Sequence, residues 1–224
     1  MTAIVSYATL ITNIGENLHR NDVASPAAEW ITDAETVMNY GDGDTIKGLR
    51  TAAQETITTL TCVPGTQTLA LPSDFLDIRK LYITIGGVRQ EMRAYPTLPM
   101  MQIERSNVNT IPTGYIITGS NLYLTPIPDS NYVLTIDYYA KIGPLATSLT
   151  NWLLTKSPDC YRSGAITYGG AWFGTKYDVT PWFRRFKAAM DMVARTDQSR
   201  FTNVTLQTEP AQLGRYTSNI FMGW

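Results

Sequence analysis

Two hydrophobic periods divide this chain, and the place where one replaces the other most constrains its fold. Within residues 111–145 apolar residues recur at every second position. Residues 115–118 lead into Gly119-Ser120-Asn121, a turn composition, and residues 122–125 return. Pro126-Ile127-Pro128-Asp129-Ser130-Asn131 holds too many prolines and turn formers for a central strand. From 132 to 139 the chain alternates, with Tyr132, Leu134, Ile136 and Tyr138 facing one way and Val133, Thr135, Asp137 and Tyr139 the other. On both sides of this region the apolar spacing is helical. The pattern predicts an α+β fold, a helical body with an antiparallel β-domain inserted in its middle. The expected division is 1–61 and 141–200 for the helical part, 62–140 for the β-domain and 201–224 for a C-terminal segment.

In the first helical part, Ile4, Ala8, Ile11, Ile14 and Leu18 predict a helix over 4–19 that includes His19, with Ser6 able to cap a shorter version. Ser25-Pro26 reads as N-cap and first helical residue, and Trp30, Ile31, Ala34, Val37 and Met38 form the buried stripe of a helix ending near Tyr40. Gly41-Asp42-Gly43-Asp44 has two alternating acids but lacks the glutamate that closes a calcium loop, so it reads as a helix-ending turn. Leu49, Ala52, Ala53, Ile57 and Leu60 predict a further helix over 45–60 that frays into the β-branched run Thr56-Ile57-Thr58-Thr59.

Short strands follow at 68–71 and 79–85, with Gly86-Gly87 as a hairpin turn and 88–92 returning. Residues 94–110 are an excursion with one helical turn at 98–104, and 111–140 completes the sheet. Helices resume at Asn151-Trp152 and at Ser157-Pro158-Asp159, where Gly164, Gly169 and Gly170 permit close helix approach. Thr180-Pro181 opens the last helix, with Trp182, Phe183, Phe186, Ala189, Met190 and Val193 inward.

Only 17% of the residues are charged and 13 are Tyr, against about 25% charged in an ordinary soluble domain. A tyrosine-rich, charge-poor surface suits burial against other chains. The net charge of −1 excludes a strongly basic nucleic-acid binder. Residues 1–61 carry three basic and eight acidic side chains, whereas 141–197 carry eight basic and four acidic. Glu29, Asp33 and Glu35 on the first part and Arg184, Arg185 and Lys187 on the second are candidate contact residues. They either face each other within one subunit or join one subunit to the next.

Cys62 and Cys160 have neither metal-ligand nor redox spacing and are expected as free thiols of a chain assembled in a reducing cytosol. Residues 1–5 lack the basic start and cleavage site of a signal peptide, and no window approaches a membrane span, so no membrane partner is expected.

Catalysis finds little support in the residues. Asp74 and Asp77 would have to supply the paired carboxylates of a glycosidase, and His19 is the sole histidine available to a triad. No phosphate loop, dinucleotide fingerprint or zinc spacing occurs, so catalytic, cofactor and metal residues are all expected to be absent. A receptor-binding module would fit the β region but not the two flanking helical parts. The last 24 residues have few charges and end in Asn219-Ile220-Phe221-Met222-Gly223-Trp224. Such a tail either folds back on its own core or inserts into a partner.

The order of Leu71-Pro72-Ser73-Asp74-Phe75, Gly114-Tyr115, residues 122–128, Tyr138-Tyr139, Asn151-Trp152-Leu153-Leu154 and Pro158-Asp159 resembles the head-to-tail adaptor proteins of short-tailed phages, which include the tail tubular protein A type. The similarity covers roughly residues 3–200. It implies a structural virion protein at the head–tail junction, with an α-helical bundle, a β-domain and a C-terminal arm. It further implies a dodecameric ring beneath the portal that extends the DNA channel, passes genomic DNA without sequence-specific binding and docks the tail nozzle. On that resemblance the portal-contacting arm comprises Phe201, Leu206, Leu213, Tyr216, Ile220, Phe221, Met222 and Trp224. The alternative function is a virion-associated peptidoglycan hydrolase.

Overall fold

The computed structural model describes residues 2–103, 109–174 and 177–202. Along the chain lie α1 (Tyr7–Leu18), α2 (Ala27–Tyr40), a 3-10 turn (Ala52–Gln54), β1 (Glu55–Thr61), β2 (Thr68–Ala70), β3 (Phe75–Ile85), β4 (Val88–Glu91), β5 (Arg93–Ala94) and α3 (Leu98–Ile103). They continue with β6 (Gly114–Thr118), β7 (Asn121–Thr125), β8 (Val133–Ala140), α4 (Leu145–Ser148), α5 (Trp152–Lys156), α6 (Pro158–Tyr168), a 3-10 turn (Gly169–Phe173) and α7 (Thr180–Thr202).

The strands make two four-stranded sheets, ordered β1-β8-β3-β4 and β2-β7-β6-β5. All pairs are antiparallel except β5 with β6. The expected single antiparallel sheet is therefore corrected. The Pro126–Asn131 segment breaks the ladder, so β6 and β7 fall in one sheet and β8 in the other. The alternation over β8 holds: Leu134, Ile136 and Tyr138 are buried, facing Leu81 and Ile83 of β3, with Tyr115, Leu122 and Leu124 from the second sheet in the same core. Burial, together with a hydrogen bond from its hydroxyl to Asp74 Oδ1 (2.9 Å), pushes the Tyr138 phenol up to about 12.

A separate apolar core joins α1, α2, α5, α6 and α7. The central helix of this group is α6, which packs against both α2 and α7 while those two scarcely meet. Small residues make this possible: a Cβ on Gly164 would lie 2.9 Å from the Ala34 Cβ and 3.1 Å from Phe186 Cε2. One on Gly169 would lie 2.4 Å from the Trp30 ring. Trp30 in turn meets Trp172 and Phe173 edge to face.

Four local expectations change. Residues 45–60 hold no α-helix. Ile46 and Leu49 are buried from a loop, and the β-branched run belongs to β1, paired over its whole length with β8. The sheet thus begins at residue 55, inside the part expected to be helical to 61. At α2 the cap is Pro26 rather than Ser25, with no side-chain cap bond. His19 lies beyond α1 as its left-handed C-cap (φ 52°). After a turn at residues 73–74, β3 starts at Phe75 and not at the expected 79. Other expectations hold: Ser6 caps α1 with a capping box, Asn151 caps α5 through Leu154 N, and α6 opens on Pro158. At 41–47, Asp42 Oδ1 accepts from the backbone N–H groups of Asp44, Thr45 and Ile46, making the predicted helix-ending turn.

Candidate functional site: the assembly surfaces

The inward stripe of α2 (Ala27, Trp30, Ile31, Ala34, Met38) is buried, which leaves Glu29, Thr32, Asp33, Thr36 and Tyr40 exposed on the opposite side. On α7, Phe186, Ala189, Met190 and Val193 are buried in the helical core, and Arg184, Ala188, Met192 and Arg195 are exposed. Both helices pack on α6, and their exposed faces differ in charge. One is acidic and the other basic.

The expected contact residues separate into two sets. Glu29, Asp33 and Arg184 are on the outer faces; the Asp178 carboxyl is held low by hydrogen bonds from Thr180, with a smaller contribution from Arg184. Arg185 points to its own subunit: its Nε meets Asp159 Oδ2 at 2.6 Å, while Arg162 bonds the other oxygen of the same carboxylate. Lys187 Nζ donates to Thr45 O at 2.9 Å and pairs with Asp191 at 3.7 Å. Glu35 is a correction. Only 7% exposed, it accepts from Leu145 N through Oε1 at 2.8 Å, so its charge is inside the subunit rather than on a contact face. Burial holds its carboxyl above the usual range, and the Leu145 bond partly opposes that rise.

Glu35 belongs to a polar clamp between the two cores that sequence reasoning missed. Asn39 Nδ2 donates to Glu35 O (3.0 Å), and Asn39 Oδ1 accepts from Ile142 N (2.8 Å). Arg50 Nη1 donates to Asn39 O (2.9 Å), and Gln54 Nε2 donates to Ala140 O (3.3 Å). Asp197, near the end of α7, accepts from Ala52 N at 2.9 Å. Both chain crossings between the cores, before β1 and after β8, are thus tied to the helices. Buried polar groups so paired set geometry at little net energetic gain. The spacing carried a signal: Glu35 is four residues after Ile31 and three before Met38, within the buried stripe.

The residues considered for catalysis have structural partners. Asp74 accepts from the Tyr138 hydroxyl, and Asp77 lies 3.4 Å from Arg50 Nε. Cys62 and Cys160 are free and buried, as expected, and burial pushes the Cys160 thiol up to about 11. Among the described residues no group of three or more His, Cys, Asp or Glu side chains could hold a metal ion, and no helix is long and apolar enough to cross a membrane. Phe201 lies in the last turn of α7. Leu206, Leu213, Tyr216, Ile220, Phe221, Met222 and Trp224, the rest of the expected arm, lie outside the described residues.

No curated protein matches this sequence. The family described as SU10 adaptor protein matches residues 5–208, which take in both cores and the clamp between them. The chain belongs to the SU10 adaptor protein family and is a structural adaptor of a phage.

Proposed function

We propose that the chain forms a dodecameric ring beneath the phage portal, extends the DNA channel and docks the tail nozzle, acting as a scaffold and not as a catalyst. The observation that carries this reading is the family match over residues 5–208. The two cores supply a division of labour. The helices around α6 build the ring, and residues 55–140 form a module projected toward neighbours or the next tail component. This moves the proposed start of the module from 62 to the first residue of β1. The rest of the chain, from Phe201 through Leu206, Leu213, Tyr216, Ile220, Phe221 and Met222 to Trp224, is the portal-contacting arm. Genomic DNA passes a near-neutral protein, which suits passage better than strong phosphate pairing would.

Purified chain mixed with portal rings and viewed by negative-stain microscopy tests the proposal. Added density at one face of the portal is the expected result. A chain ending at residue 202 should keep its circular dichroism spectrum and lose portal binding. Unaltered binding by that shortened chain would remove the arm from the account.

A further inference from the structure

We infer that the exposed face of α7 in one subunit packs against the exposed face of α2 in a second copy of this chain, the basic face of one helix set against the acidic face of the other. This rests on the ring reading above and names the contact that would build the ring. A closed ring needs two different surfaces on each subunit that are complementary to each other. The helical layer offers two such surfaces, the acidic outer face of α2 and the basic outer face of α7.

The two stripes also match in length and chemistry. Along α7, Arg184, Ala188, Met192 and Arg195 follow at intervals of four, four and three residues. Along α2, Glu29, Asp33, Thr36 and Tyr40 follow at four, three and four. Each stripe runs over twelve residues, eleven steps and about 16 Å of helix axis. Each includes large apolar surface that its own subunit leaves uncovered, since Met192 and Tyr40 are both 59% exposed. Ala188 leaves room for a facing side chain at the middle of the α7 stripe. The remaining charges nearby have partners: Arg185 is held by Asp159, Lys187 by Thr45 O and Asp191, and Asp178 lies beside Arg184. The pairing thus depends on charges that the subunit itself does not bury.

Two full-length variants test the inference. The first carries Arg184→Glu and Arg195→Glu, so that both of its faces are acidic. The second carries Glu29→Lys and Asp33→Lys, so that both are basic. Each alone should self-associate about a hundredfold more weakly than the unmodified chain, because like charges now meet across the contact. An equimolar mixture should regain association with strict alternation of the two variants, read by native mass spectrometry with one variant isotopically labelled. Recovery in the mixture also shows that both variants are folded. Unimpaired assembly of either variant alone, or no pairing in the mixture even with portal rings added, overturns the inference. Closed rings formed by a single variant would keep the ring reading and remove this contact. Alternating pairs that neither close nor bind a portal would keep the contact and remove the ring reading.

Discussion

Replacing Glu35 separates two contributions that the structure superimposes at one side chain. Its Oε1 satisfies the buried Leu145 N–H at 2.8 Å, while burial penalises its negative charge. Glu35→Gln keeps an acceptor of the same length and removes the charge. Glu35→Ala removes both and leaves an unpaired N–H at Leu145, which is fully buried. An orphaned buried donor costs about 1–3 kcal/mol, and about 2 kcal/mol lowers the melting temperature of a chain this size by roughly 4–8 °C.

The pH dependence gives a second readout. The folded-state pKa of Glu35 lies above its ordinary 4.5, so within the window between the two the native chain holds more protons than the unfolded one. Stability from this group is therefore present at acid pH and falls as pH rises through the window. Urea unfolding of the three proteins across that window and at pH 7 tests the assignment. Glu35→Gln should equal or exceed the unmodified chain at pH 7 and lose the advantage below the ordinary carboxyl range. Glu35→Ala should be the least stable of the three at pH 7. A Glu35→Gln protein weakened at pH 7 as much as Glu35→Ala would show that the ionised carboxylate itself is required, and the reasoning would fail.

Gly169→Ala should destabilise the helical core by about 1–3 kcal/mol in urea unfolding, because the added methyl meets the Trp30 ring and that ring is packed on Trp172 and Phe173. A neutral result would mean that the aromatic cluster yields. Asp42→Ala should speed hydrogen exchange at the amides of Asp44, Thr45 and Ile46, and Asp42→Asn should do so less. The Ile46 amide, with Asp44 and Thr45 beside it, holds the Asp42 carboxyl low, so its contribution is present above the ordinary 3.8 and lost as pH falls through the folded value. A maleimide should leave Cys62 and Cys160 unmodified in the native chain and label both once it is unfolded, since both thiols are buried and shifted upward. Rapid native labelling would contradict their placement.

The sequence was most legible where local chemistry and packing agree. Ser6, Asn151 and Pro158 marked helix starts, Gly119-Ser120 marked the β6–β7 turn, and the alternation of β8 reported its buried face. It was least legible where distant partners decide. Ile57 and Leu60 continued a helical spacing, but the β-branched threonines beside them and pairing with β8 put them in a strand. The same holds for the two sheets: no local signal tells which sheet takes a strand after a proline-rich turn. At the assembly surfaces, helical spacing alone placed Glu29, Asp33 and Arg184 outward. Glu35 was misread because its acid type was weighed above its place in the apolar stripe. The bonds of Arg185 to Asp159 and Lys187 to Thr45 O depend on how α7 crosses its neighbours, which spacing along one helix does not encode.

The central claim is a ring of this chain seated on a portal, and electron microscopy with rotational averaging of the portal–adaptor complex tests it most directly. The account predicts twelve copies around an open channel, with the helices at subunit boundaries and the β module projecting away from the portal. A portal that carries single copies, or rings whose boundaries are formed by the β sheets, would contradict it.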